Sequence, residues 1–215
     1  RADVLVENYR PGVLDRLGFG ADAIRESWPR LIHCSITGFG SSGPYSAQPA
    51  FDTIGLALSG IGASQWNPDD PQIAGPTVSD YVTGMYACNG ILSALHERHT
   101  TGKGRRVEVN LIEGAISLMA DYVATYTQRG VSSNPLTRTA ASQCFALRCA
   151  DGKLIALHLS RHEKFWTSLL TAIGREDLAG EERFAARQGR IDNYQELRAA
   201  LGEVSERAAA RRLPG

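Results

Sequence analysis

Short apolar runs recur along the first half of the chain, each closed by glycine or proline. Two continuous runs predict buried strands, because a strand covered on both faces needs no polar alternation; they occupy residues 2–9 and 30–40. A third strand is predicted at residues 105–112, where apolar and charged positions alternate. Strands that are separated by helical stretches indicate an α/β domain with a parallel sheet.

Helical patterns fill the intervals between these strands. Helices are predicted at residues 21–27, 51–62, 80–98 and 112–128. The longest is a central helix whose apolar positions include Met85, Leu92 and Leu95. The segment between residues 63 and 79 is rich in turn-forming residues and predicts a long connection.

The second half of the chain shows a different order of elements. A polar segment with one proline, residues 129–142, predicts a linker, and residues 144–159 predict a β-hairpin around Asp151 and Gly152. Ser160 and Glu163 match a capping box that would open the next helix. The chain is therefore expected to be α/β. Part of a large domain is expected at residues 1–112, a helix and linker at 113–135, and a smaller α/β domain at 136–215.

Composition narrows the class of protein. The 215 residues are 43% hydrophobic and 21% charged, with a formal net charge of zero, which is typical of a globular domain and gives no basic footprint for nucleic acid. No apolar run is long enough to cross a membrane, and the four cysteines form no CxxC motif. We therefore expect reduced thiols and a cytoplasmic location. Since the chain begins without Met and ends in helical composition, we also expect it to be a piece of a longer protein.

One carboxylate, Asp80, lies at the mouth of the central helix. Aspartate favours the N-cap position, because its carboxylate accepts free N–H groups of the first turn, although Ser79 can serve instead. A carboxylate that is held in an apolar setting can also act as a base or a nucleophile. Gly75 and Gly84 on either side leave room for close approach. The residue type alone leaves both interpretations open.

A second candidate is the turn ENYRPG, which directly follows the first predicted strand. The carboxyl ends of strands are where α/β sheets bind ligands. Arg10 can hold a phosphate there, and Tyr9 can stack on a base. A surface turn without a ligand is equally compatible with the pattern.

Two histidine pairs raise the question of a metal. His96 and His99 are three residues apart, and His158 and His162 are four apart. No carboxylate or thiol lies at a recognised ligand spacing from either pair, so no metal site is predicted.

Taken together, several ordered segments resemble the family III CoA-transferases. They are DVLVENYRPGVLDRLGFG, WPRLIHCSITGFGSSGP, FDTIGLALSG, SDYVTGMYACNGILSALHERHTTGKGRRVEVNLIEGA, DGKLIAL and ERFAARQGRIDNYQEL. The resemblance implies a Rossmann-like large domain, a smaller α/β domain and two chains interlocked as rings in a homodimer. This chain matches the middle of that fold, without the first strand and part of the CoA pocket.

The resemblance also implies a mechanism. Asp80, in the DxxTG position, corresponds to the catalytic carboxylate. It would attack an acyl-CoA thioester to form an aspartyl anhydride, then an aspartyl-CoA thioester, from which CoA passes to a carboxylic acid acceptor. The implied substrates are an acyl-CoA donor and that acid, with no tightly bound cofactor and no metal.

The same resemblance implies a set of CoA contacts. These are Asn8, Tyr9, Arg10, Val13 and Arg16 in the ENYRPGVLDR segment, with Thr37 where some relatives have a lysine. The glycine-rich loop that covers the active site of formyl-CoA transferase is not evident in this sequence.

Two alternatives to CoA transfer remain open. Alpha-methylacyl-CoA racemases have a related fold and commonly take one base from a GHD motif, where this chain has Phe51, whose ring cannot accept a proton. A non-catalytic CoA-binding module is the other alternative, against which the retained Asp80 argues. Three aromatic residues either line an acyl pocket or belong to the core: Tyr45, Phe51 and Trp66.

Overall fold

The computed structural model describes residues 2–207, and the chain divides into two compact units. The first runs through Ser132 and the second begins at Ser133. The first unit contains a parallel three-stranded sheet in the order β1-β2-β3. Its strands are β1 at Val4–Glu7, β2 at Ile32–Thr37 and β3 at Arg106–Asn110. The predicted α/β class and its three strands are confirmed.

Seven helices are described in the first unit. They are α1 at Val13–Arg16, α2 at Ala21–Ser27, α3 at Asp52–Leu58, α4 at Ile61–Gln65, α5 at Val78–Thr101, α6 at Leu111–Ser117 and α7 at Ala120–Arg129. None of the helices within residues 2–207 is both long enough and apolar enough to span a membrane.

Two predicted single helices are in fact pairs, so those predictions were wrong. Gly60 separates α3 from α4 with a left-handed φ of 89°, which glycine adopts without steric cost. The break between α6 and α7 lies at Leu118 and Met119. The Met119 side chain is buried in a cluster with Leu56 and Ile61, so tertiary packing accompanies this interruption.

The two faces of the sheet differ in polarity. Helix α5 packs against β2 and β3, and its Gly90 lies so close to Val107 that a Cβ at Gly90 would be 2.6 Å from the valine Cγ1. On β2, Cys34 is fully buried, and the residues on either side of it, His33 and Ser35, project to the opposite face of the sheet. Glu7 on β1 pairs with Ser35 and shares this polar face.

The start of α5 is held between two helices at close range. A Cβ at Gly55 of α3 would be 2.1 Å from the Ser79 Oγ, and one at Gly114 of α6 would be 2.5 Å from the Thr83 Oγ1. Ser79 and Thr83 are fully buried and lie on either side of Asp80 in sequence. The position of Asp80 therefore depends on glycines that permit close helix packing.

Gly55→Ala is expected to lower the free energy of unfolding by about 1–3 kcal/mol, because the new methyl group overlaps the Ser79 side chain. The matched control is Gly84→Ala on α5, where, apart from its chain neighbours and the backbone of its own helix, no described heavy atom lies within 4 Å of the added Cβ. That change should stabilise the helix by about 0.5–1 kcal/mol. Urea unfolding of both variants measures the difference, and equal effects would contradict the packing described.

The second unit consists of a hairpin and short helices. Strands β4 at Cys144–Arg148 and β5 at Leu154–His158 are antiparallel, as predicted. The helices are α8 at Thr137–Ser142, α9 at Glu163–Ile173, α10 at Asp177–Gly180, α11 at Glu182–Ala185, α12 at Arg187–Asp192 and α13 at Tyr194–Ser205. The predicted linker at 129–142 thus contains a helix, and the predicted small-domain residues 208–215 lie outside the described residues.

The predicted capping box at the start of α9 is wrong. His162 occupies the N-cap position, no side chain caps the helix, and Ser160 has a left-handed φ of 58°. The Glu163 carboxylate instead accepts a hydrogen bond from the buried Arg190, and this long-range contact replaces the local one.

Candidate active site

A cleft of about 360 Å³ opens at the carboxyl ends of β1 and β2. Its wall includes Asn8, Tyr9, Arg10, Thr37, Phe51 and Asp80. Five of these residues were predicted site residues, and they come from three separate parts of the first unit. The structure therefore brings the candidate nucleophile and four candidate CoA contacts to one surface.

Asp80 is the third residue of α5, and the interpretation of this residue as the N-cap is wrong. Thr77 occupies the cap position, and its side chain makes no capping hydrogen bond. Ser79, the other predicted cap, is buried and donates to the Leu111 carbonyl oxygen at 3.3 Å. The Asp80 side chain is exposed on the wall of the cleft.

A second carboxylate, Asp52, supports the start of α5. Asp52 is the first residue of α3 and is buried, and its Oδ1 accepts a hydrogen bond from the Asp80 backbone N–H at 3.1 Å. This bond satisfies one of the free N–H groups of the first helical turn from another helix. This role is not evident from the sequence, because the two residues are 28 positions apart. The available signal was an acid at the start of a predicted apolar helix.

Two effects raise the pKa of Asp80 above its usual range. The larger is the partial desolvation of the carboxyl group by the surrounding protein, and the smaller is repulsion from the Asp52 carboxylate. Both disfavour the charged form, so the Asp80 carboxylate is more basic than a free aspartate. Such a group is a better nucleophile toward a carbonyl carbon.

The other cleft residues have distinct surroundings. The Thr37 Oγ1 accepts a hydrogen bond from the Gly40 N–H at 2.9 Å and so shapes the loop after β2. Phe51 is 78% exposed and lines the cleft. Trp66 instead packs against the buried cluster of the first unit, and exposed Tyr45 lies against Phe39. Of the three aromatic residues considered from the sequence, Phe51 lies beside the candidate nucleophile.

Two predicted CoA contacts do not line this cleft. Val13 and Arg16 lie on α1, the helix that follows the ENYRPG turn. Their contact with CoA stays a prediction. Within the part of the chain that the structure describes, no three His, Cys, Asp or Glu side chains converge in a group that could hold a metal ion.

Comparisons with known proteins relate the chain to one family. The model of the family described as CoA-transferase family III matches residues 1–213. The acetyl-CoA:oxalate CoA-transferase of Acetobacter aceti is 35% identical over 213 residues, which cover 98% of this chain and 54% of that protein. The formyl-CoA:oxalate CoA-transferase of Streptomyces coelicolor is 30% identical, over 95% of this chain and 54% of the relative.

A solved structure shows the same fold. The crystal structure of a CaiB/BaiF family protein from Brucella suis matches with a TM-score of 0.83 and 31% identity, over 99% of this chain and 56% of that one. The chain thus spans about half the length of the curated relatives and solved structures it matches. With a family model over nearly its whole length and CoA-transferases among its relatives, the chain belongs to CoA-transferase family III.

Proposed function

We propose that the complete protein transfers coenzyme A from an acyl-CoA thioester to a carboxylic acid. The observation that carries this proposal is the position of Asp80, a carboxylate of raised pKa in a cleft shared with Arg10 and Tyr9. Relatives named for transfer between acetyl-CoA or formyl-CoA and oxalate support the same substrate classes.

The proposed reaction begins with attack of an Asp80 carboxylate oxygen on the thioester carbonyl carbon. The C–S bond breaks, and CoA thiolate leaves an aspartyl anhydride. The thiolate attacks the Asp80 carbonyl carbon, which releases the donor acid as its carboxylate and leaves an aspartyl-CoA thioester. The acceptor carboxylate attacks the Asp80 carbonyl carbon of this thioester, which expels CoA thiolate and forms a second anhydride. The thiolate then attacks the acceptor carbonyl carbon of that anhydride, which forms the new acyl-CoA and releases the Asp80 carboxylate. Every step exchanges one acyl bond for another, without a redox change.

The cleft suits the two demands of this chemistry. The anhydride must be kept from water, and an acyl-CoA that fills the cleft would displace water from the exposed Asp80 side chain. The nucleotide end of CoA must be held, and Arg10 offers a planar, permanently charged partner for phosphate. Asn8, Tyr9 and Thr37 are proposed to contact the same substrate.

Arg10→Ala is expected to raise the KM for acyl-CoA about tenfold, the loss of roughly one charged hydrogen bond, while kcat changes less than about threefold. Steady-state kinetics of the complete protein give both constants. The matched control is Arg25→Ala, which removes a guanidinium that pairs with Asp22 on the surface of α2. A rise in KM of the same size in both variants would remove Arg10 from the proposed CoA site.

Asp52→Asn is expected to shift the acid limb of the kcat/KM profile to lower pH. Asp52 raises the pKa of Asp80 by repulsion, and the reactive form of Asp80 is the carboxylate, so removal of the Asp52 charge lets Asp80 ionise at lower pH. Asparagine keeps an oxygen that can accept the Asp80 N–H. Asp69→Asn, in the loop before α5, is the control. If the acid limb of the kcat/KM profile of Asp52→Asn does not move, or moves to higher pH, the electrostatic coupling between the two carboxylates is contradicted.

The test of the proposed function is covalent trapping. The complete protein is incubated with a panel of acyl-CoAs, quenched with hydroxylamine or borohydride, and analysed by intact-protein and peptide mass spectrometry. A trapped product on the Asp80 peptide would support transfer and identify the donor. Deuterium uptake beside the thioester in heavy water, without an adduct, would instead indicate a racemase in which Asp80 is a base, even though Phe51 offers no second one.

The complete protein is also proposed to form a defined assembly. We infer a homodimer from family membership, and sedimentation of the complete protein would test it. A cytoplasmic location stays a prediction.

A further inference from the structure

Glu7 is an acidic residue that is removed from water at the edge of the cleft. It is the last residue of β1, and its side chain is 8% exposed. Its Oε2 accepts a hydrogen bond from the Tyr9 backbone N–H at 2.8 Å. A bond to an ionised acceptor is stronger than one between neutral groups. The carboxylate thus restrains the first residues of the ENYRPG turn.

The partner of this carboxylate is His33 on the neighbouring strand β2. The His33 side chain is 6% exposed, and its Nε2 lies 3.6 Å from the Glu7 Oε1. Among the described residues, neither nitrogen of His33 has a hydrogen-bond partner, so Glu7 is the group that this buried ring faces. Arg106, the nearby cation on β3, is paired with Glu108 at 2.8 Å. Glu7 and His33 lie at ion-pair distance and would form a charge pair when His33 is protonated, which lowers the cost of burying the carboxylate.

The turn borders a small cavity. A small cavity of about 70 Å³ lies on its inner side, lined in part by Glu7, Tyr9, Arg10 and His33. The turn ends at Gly12, whose φ of 79° places it in the left-handed region. The Arg10 carbonyl oxygen accepts a hydrogen bond from the Val13 N–H at 3.1 Å, and the Tyr9 N–H donates to Glu7, so the bond to Glu7 is the one that restrains the backbone at Tyr9.

We propose that Glu7, held by His33, is a positioning residue that fixes the turn at residues 8–11 so that Tyr9 and Arg10 face the cleft. The pair does not contact the reacting atoms. It acts through the Tyr9 backbone on the side chains that receive the nucleotide end of CoA. This last part rests on the proposed function, whereas the restraint on the turn does not.

The test compares Glu7→Ala, Glu7→Gln and Glu108→Ala in the complete protein. Glu108 is a half-exposed carboxylate on the same polar face that does not line this cavity, whereas its ion-pair partner Arg106 does, so Glu108→Ala frees Arg106 and leaves the Glu7 hydrogen bond to Tyr9 in place. Glu7→Ala should speed hydrogen exchange of the Tyr9 amide at least about tenfold and raise the KM for acyl-CoA about tenfold, with kcat within about twofold. Glu7→Gln keeps an acceptor oxygen and should restore most of both properties. Glu108→Ala should leave both unchanged.

The role of His33 is tested by a double-mutant cycle. His33→Leu should raise the Tyr9 exchange rate and the KM in the same direction as Glu7→Ala, and the double variant should be no worse than the more affected single variant. If Glu7→Ala does not fold, His33→Leu supplies the same two readouts. Unchanged Tyr9 exchange, an unchanged KM in a folded variant, or strictly additive effects would overturn the proposal.

The two proposals fail in different ways. Absence of turnover and of CoA binding in the wild-type complete protein would refute the proposed function. The Tyr9 amide exchange rates would still show whether Glu7 fixes the turn. Normal turnover in the wild type with identical KM values in Glu7→Ala would refute the positioning role alone.

Discussion

Asp80→Ala is expected to abolish CoA transfer in the complete protein, with a loss in kcat of roughly 10⁴-fold or more, as for removal of other covalent nucleophiles. The fold should survive. Within the described residues the Asp80 side chain makes no hydrogen bond and no ion pair, and it is exposed. Truncation also removes the repulsion from Asp52, so the free energy of unfolding should stay within about 0.5 kcal/mol or rise slightly.

Two further variants sharpen this prediction. Asp80→Asn keeps the shape of the side chain but cannot form the anhydride, and it should be as inactive as the alanine variant. Asp69→Ala removes an exposed carboxylate from the loop before α5 and should leave kcat unchanged. Loss of the trapped adduct in both Asp80 variants, with unaltered circular dichroism, would complete the assignment. Activity retained in either Asp80 variant would exclude this residue as the nucleophile.

Arg190→Met should destabilise the second unit by about 2–4 kcal/mol, because the substitution leaves two backbone carbonyl oxygens without their buried donor and removes the ion pair with the more exposed Glu163. Arg190 is 1% exposed. Its guanidinium donates to the carbonyl oxygens of Phe184 and Ala185 at 2.9 and 3.2 Å and to the Glu163 Oε1 at 2.5 Å. It also lies 4.9 Å from the centre of the Trp166 ring. Methionine fills the volume but leaves these acceptors without a donor.

The chain offers a closely matched control in Arg183→Met. Arg183 also pairs with carboxylates, those of Glu181 and Glu196, and lies over the ring of Phe184, but it is half-exposed. Exposed pairs contribute about 1 kcal/mol or less, so this variant should unfold near the wild-type urea concentration. Urea titrations followed by tryptophan fluorescence compare the two. Equal losses would mean that burial of Arg190 is not the source of its effect.

Local patterns in the sequence determined much of the fold and part of the site. Strands β1, β2 and β3, the hairpin and the long central helix follow from apolar periodicity and from turn residues such as Gly152, which are properties of adjacent positions. The ordered motifs identified the family and singled out Asp80. These features could be predicted because each depends on a few neighbouring residues.

Tertiary structure alone decided which of these residues meet. The Asp52 carboxylate accepts a hydrogen bond from the Asp80 N–H, 28 positions further along the chain. The Glu7 carboxylate lies next to His33 on the neighbouring strand. Tertiary packing also extended α5 past the predicted cap, because Ser79 is buried against α3 and α6 rather than free to cap the helix. Such contacts join segments that are far apart in the chain, and their distances follow from helix and strand packing rather than from any local pattern. The sequence by itself therefore determined the candidate nucleophile, and only the packed fold decided its charge environment and the residues that hold its surroundings in place.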